Sequence, residues 1–143
     1  MQAYNTLQAK LMAHTKRHQD LETIFQQLRI HAHNYLSGNS QLFPSLAICD
    51  FDDLSLIAYH VCGRKVLFKL ATPAIENGAL RGLITYYLQN EFPANELVKI
   101  NCVELKLTGE IDINDEYGDP INIAESRGAE IFVISSILDA LSK

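Results

Sequence analysis

The residues best suited to chemistry are histidines, and two of them, His14 and His18 in the stretch HTKRH, stand four apart. On a helix that spacing puts both imidazoles on one face, near enough to share a metal ion. A zinc protease needs Glu directly after the first histidine, in the order H-E-x-x-H, and Thr15 holds that place here. A structural zinc needs two further ligands, and no cysteine pair is spaced to supply them. The pair therefore reads as polar members of a packing seam that set register between helices or meet water, and no bound metal is expected.

His31 and His33 lie two apart, which on a helix separates them; they read as surface residues near a helix C-terminus, where positive charge is favourable. His60 and Cys62 would share a face in a strand, but no third group is identifiable to orient the imidazole for nucleophilic catalysis. Cys49, Cys62 and Cys102 are an odd number without a C-x-x-C spacing, each among apolar residues, and read as buried free thiols of a reducing compartment.

Acidic residues gather twice. Asp50, Asp52 and Asp53 suit a turn between strands, where Asp bonds its own backbone. Asp112, Asp115, Glu116 and Asp119 surround Tyr117 and Gly118; a calcium loop would require Gly where Tyr117 stands and a closing Glu where Ile123 stands. The segment reads as a solvated acidic turn, or as a patch in which Tyr117 anchors a basic protein partner and the four carboxylates steer it. No glycine pattern cradles a phosphate, so no cofactor is expected.

Composition narrows the classes further. At 143 residues and 48% hydrophobic content the chain is long enough to bury one core, and its net charge of −5 repels nucleic acid and anionic lipid. The opening MQAYNTLQAK lacks a signal-peptide pattern and no stretch is long enough to span a bilayer, so a soluble, cytoplasmic protein is expected.

The elements that position these residues follow from periodicity. Leu7, Leu11, His14, His18, Leu21, Phe25, Leu28, Ala32 and Tyr35 recur at alternating spacings of four and three, which predicts a helix over 5–36 with Asn5 and Thr6 at its start and Ser37-Gly38-Asn39 as its stop. Such a helix, ~45 Å long, exceeds the ~27 Å diameter of a compact domain of this size. The overhang predicts a homodimer through a seam of Leu7, Leu11, His14, His18, Leu21, Phe25 and Leu28; the alternative is a helix broken near 15–19 whose pieces lie on the protein's own sheet.

After the glycine break, SLAICDF (45–51), LSLIAYHV (54–61) and RKVLFKLA (64–71) read as an antiparallel meander. KINCVELKL (99–107) and GEIDI (109–113) read as a further long strand bent near Gly109. Residues 80–88 alternate as a strand, with Asn77-Gly78 as a hairpin turn, though Leu80, Leu83, Ile84, Tyr87 and Leu88 would also line a helix; Gly82 and the run Ile-Thr-Tyr-Tyr favour strand. A strict two-residue turn sets Tyr86 opposite Lys69, and a bulge at Pro73 would repair that register. INDEYGDPINI (113–123) reads as a polar loop between short extended pieces. AEIFVISSILDALSK, apolar on nearly all sides at first, predicts a helix over 129–142 capped by Ser126.

The expected fold is therefore a single α+β domain over 1–143: a long N-terminal helix, an antiparallel sheet of about five strands within 45–123, and a C-terminal helix on the same face. With residues 79–90 as a helix, the element order instead resembles the small acidic dimeric chaperones of type III secretion. The favoured function is a non-enzymatic, homodimeric acidic binding module, chaperone-like or immunity-like, holding a protein partner through Asp112, Asp115, Glu116, Tyr117 and Asp119. A small-molecule-binding or sensory domain with a pocket at Phe68, Ile84, Tyr86 and Tyr87 is the alternative, and a small histidine- or metal-dependent enzyme ranks third.

Overall fold

The computed structural model describes residues 2–50, 52–73, 81–90 and 96–143. No glycine or proline falls between Gln2 and Ser37, and this segment forms one unbroken helix, α1 (Gln2–Gly38). Its two halves differ. None of residues 3–20 is buried, whereas Leu21, Ile24, Phe25, Leu28, Ala32 and Leu36 sink into the core. The helix is thus neither broken at 15–19 nor wholly devoted to a seam. Leu21, Phe25 and Leu28, expected to face a second copy, are 0–1% exposed against the chain's own sheet and have no surface left to offer one.

Among the described residues the sheet holds seven strands in sequential order, all antiparallel: β1 (Leu46–Cys49), β2 (Leu56–Val61), β3 (Arg64–Ala71), β4 (Gly82–Asn90), β5 (Glu96–Leu105), β6 (Glu110–Asn114) and β7 (Pro120–Asn122). Two departures raise the count above five. The run read as one bent strand across Gly109 reverses completely: the Gly109 amide donates to the Lys106 carbonyl at 2.9 Å, and a φ of 93° suits a residue without a Cβ. The supposed loop at the end also contributes β7, which pairs with β6.

Strand, not helix, is the state of Gly82–Asn90, so the element order of the type III secretion chaperones does not arise. Its register is one residue away from a strict two-residue hairpin: Tyr86 pairs with Phe68, Ile84 with Leu70 and Leu88 with Val66. That shift collects the buried apolar residues of both strands on one face and leaves Lys69 opposite Thr85 on the other, beside half-buried Leu67, Leu83 and Tyr87. The proposed turn at Asn77-Gly78 lies outside the described residues.

Helix α2 (Ser126–Leu141) closes the chain and shares the covered face of the sheet with α1. It starts one turn earlier than expected: Glu125 occupies the cap position, and Ser126 is already helical. Gly128 permits this, because a Cβ there would overlap the Asn122 carbonyl oxygen of β7. Between the layers runs a chain of ring contacts, from Tyr59 to Phe68 (6.2 Å between centroids), then Phe68 to both Tyr86 and Phe132 (5.7 Å each). Among the described residues no helix is long and apolar enough to cross a membrane.

Candidate functional site

Helix α2 is apolar on two faces, and only one of them is fully buried in the core. Ala129, Phe132, Val133, Ser136, Ile137 and Ala140 are buried. Ile131, Ile134 and Leu138, spaced three and four apart on the other side, line open space; Ile131 and Ile134 are half-buried and Leu138 is 63% exposed. A core helix normally shows water a polar stripe there. Two cavities meet along this stripe and share Ile134 and Leu138.

The smaller cavity, about 320 Å³, is walled by Leu36 of α1, the connecting segment Leu42–Leu46, Val61 and Leu141, almost entirely with carbon. The larger, about 630 Å³, runs from Tyr35 of α1 past Ile131 to the β6–β7 turn, where Asp115, Glu116 and Tyr117 stand over it beside Glu130 and Arg127. Together they form an apolar groove with an acidic rim at one end. Leu42 and Tyr117, 67% and 76% exposed, extend its oily surface outward.

The rim is built rather than fluid. Asp115 Oδ1 accepts hydrogen bonds from the amides of Tyr117 (2.9 Å) and Asp119 (3.0 Å), the Asp115 amide donates to the Asp119 carbonyl (2.7 Å), and Gly118 takes a φ of 84°. One carboxylate thereby shapes the hairpin turn that carries Glu116 and Tyr117. Of the five residues expected to bind a partner, Asp115, Glu116 and Tyr117 line the groove. Asp119 sits at the turn's exit, and Asp112 lies on the opposite, uncovered face, where its Oδ1 accepts from the Glu104 amide at 2.9 Å.

The histidines are dispersed. His18 Nδ1 lies 2.8 Å from Thr72 Oγ1 and its Nε2 3.4 Å from Glu22, so it binds the end of β3 to α1 instead of facing a metal with half-buried His14. Among the described residues no group of three His, Cys, Asp or Glu side chains is placed to hold a metal ion. Cys62 leaves the strand that carries His60: with Gly63 it makes the two-residue turn between β2 and β3, both at positive φ. All three cysteines are free, but none is buried as expected: Cys62 is exposed and Cys49 and Cys102 are half-buried. Phe68, Ile84 and Tyr86, considered as pocket walls, are at most 3% exposed and fill the core, while half-buried Tyr87 points to the other face of the sheet.

One polar cluster escaped the sequence reading. His33 is not a surface residue: its ring meets Tyr59 edge-on at 5.5 Å, and Arg29, one turn earlier, donates to the carbonyls of Asp53 (3.2 Å) and Leu56 (2.5 Å). Burial, reinforced by Arg29 and partly opposed by Asp50, holds His33 below the ordinary histidine range; burial also raises the Tyr59 phenol. The four-residue spacing of Arg29 and His33 was the available signal, but His33 lies off the apolar seam. Comparison of the chain with protein-family models, curated proteins and solved structures found no match.

Proposed function

We infer that this protein is a non-enzymatic, homodimeric interaction module that holds a segment of a protein partner in the groove along α2. The observation that carries this reading is the second apolar face of α2, left open between Tyr35, Leu42 and Tyr117. Isolated surface leucines are ordinary, but a contiguous apolar stripe with a charged rim marks an interaction surface. The rim selects the partner: Asp115, Glu116 and Glu130 outnumber Arg127, so a segment with one apolar face and flanking Lys or Arg fits, and an acidic one is repelled. Groove and guest would meet as an amphipathic helix meets a hydrophobic cleft. One-turn spacing of the guest's apolar residues, three or four apart, matches that of Ile131, Ile134 and Leu138.

The test uses two labelled synthetic helical peptides with the same leucine face, one flanked by lysines and one by glutamates. They are titrated by fluorescence anisotropy into the parent and into Leu7→Asp with Leu11→Asp, which removes two exposed leucines that would compete for an apolar groove. Binding of the basic peptide alone, lost in Leu138→Asp, is the expected result. Equal binding of both peptides, or of neither, in the parent and in the double variant alike, rules the groove out.

A further inference from the structure

The overhanging half of α1 has the chemistry that the groove selects. Tyr4, Leu7, Leu11 and Met12 are 63–67% exposed on it, and Lys10, Lys16 and Arg17 are its charged residues, with no acidic residue before Asp20 in a chain of net charge −5. Lys10 lies beside Leu7 and Leu11 on the helix surface, where flanking charges meet a partner's rim. One molecule therefore carries both a basic amphipathic arm and an acidic apolar groove, each uncovered.

The arm cannot reach its own groove. Tyr35 and Leu36, which wall the groove, lie at the far end of the same unbroken helix, ~42 Å from Leu7 at ~1.5 Å per residue. Resting on the reading of the groove given above, we propose that its resident guest is the arm of a second copy: residues 3–16 of each protomer lie along α2 of the other. An antiparallel arrangement brings the N-terminal half of one α1 to the C-terminal end of its partner's. The two-fold axis then passes beside the middle of α1, near Leu21, and the contact forms twice. That repetition is what brings a single-helix contact toward the ~1,600 Å² of a standard interface. It also accounts for the arm's order, since a helix of this length without tertiary contacts is marginal in water. A foreign basic segment then competes with the arm for one groove at a time, and a dimer that takes up a partner in one groove keeps its second arm contact.

Sedimentation of the full-length chain at low salt tests this with four proteins. The parent sediments as a dimer. Lys10→Glu with Lys16→Glu raises the dimer dissociation constant by at least about tenfold, and Glu116→Lys with Glu130→Lys does the same. All four changes together restore it to within about threefold of the parent, because each reversed charge again meets its opposite. Every site is exposed or at the groove's rim, and thermal melting confirms that each variant folds. A monomeric parent overturns the proposal, as does a dimer that ignores the groove charges, which would mean arm pairing with arm, or a combined variant that fails to recover. The anisotropy titration separates this outcome from failure of the groove itself: a monomeric parent that still binds the basic peptide keeps the groove and loses only the second copy as its guest.

Discussion

The Tyr86 hydroxyl donates a hydrogen bond to Asp139 Oδ2 at 2.9 Å, tying the centre of β4 to the last turns of α2. Asp139 follows Leu138 directly, so this bond sets the rotation of α2 about its axis and turns Leu138 toward the groove. Tyr86 is 3% exposed, and its phenol is held above the ordinary tyrosine range by burial and by the Asp139 carboxylate. Tyr86→Phe should lower stability by ~1–2 kcal/mol in urea unfolding and weaken basic-peptide binding at the same time. Unchanged affinity in a folded variant would separate the two effects and deny the bond its orienting role.

Acid should loosen the fold through His33. Its folded pKa lies below the ordinary value near 6.5, so the unfolded chain takes up the proton more readily. The stability it contributes is complete above that value and is lost as pH falls through the window between the unfolded and folded values. Melting temperatures of the parent and His33→Gln between pH 5 and 8 check the sign. The parent should decline more steeply below pH ~6.5.

Gly128→Ala should be severe for a change of one methyl group. The added carbon would overlap the Asn122 carbonyl oxygen, and backbone cannot rotate away as a side chain can. Either the first turn of α2 unwinds or β7 shifts, at a cost of roughly 2–4 kcal/mol, visible as a lowered melting temperature. Gly63→Ala meets no atom within 4 Å and is the control for backbone strain alone, since its φ is 80°.

The two halves of α1 should respond oppositely to the same chemistry. Leu21→Asp with Phe25→Asp puts two charges into fully buried positions and should prevent folding, seen as loss of near-ultraviolet circular dichroism. Leu7→Asp with Leu11→Asp alters positions about two-thirds exposed and should leave the monomer's core intact while abolishing the dimer in sedimentation.

His14→Gln with His18→Gln should change stability by less than ~1 kcal/mol, the loss arising from the His18 contact to Thr72. Adding zinc or a chelator to the parent should leave its melting temperature unmoved. A zinc-dependent rise that disappears in the double variant would reinstate the pair as metal ligands.

Much of the architecture was legible because local pattern and tertiary role agree. The four-and-three spacing marks α1 on both sides of His18, and the alternation in Gly82–Asn90 marks a strand whose register follows from gathering Ile84, Tyr86 and Leu88 on one face. Periodicity does not say what covers a stripe, which is why Leu7 and Leu21 looked equivalent in sequence and differ completely in burial. The acidic turn was visible as a feature, but its neighbour was not. Asp115, Tyr117 and Leu138 come from the last third of the chain and meet Tyr35, some eighty residues earlier, only through the fold. Arg29, His33 and Tyr59 were hidden for the same reason, since the strand that completes the cluster is distant from the helix that begins it.

The unbroken β1-to-β7 order of the sheet also bears on how the chain is made. Each strand pairs with the one synthesised just before it, so hairpins can add one after another during translation with little loop-closure delay. The long helix α1 leaves the ribosome before the sheet it packs on and has nothing to lie on until several hairpins exist, and the residues opposite its inner half emerge well after it. A helix translated ahead of its sheet therefore docks late, and until then its uncovered leucines and phenylalanine are in need of protection from aggregation.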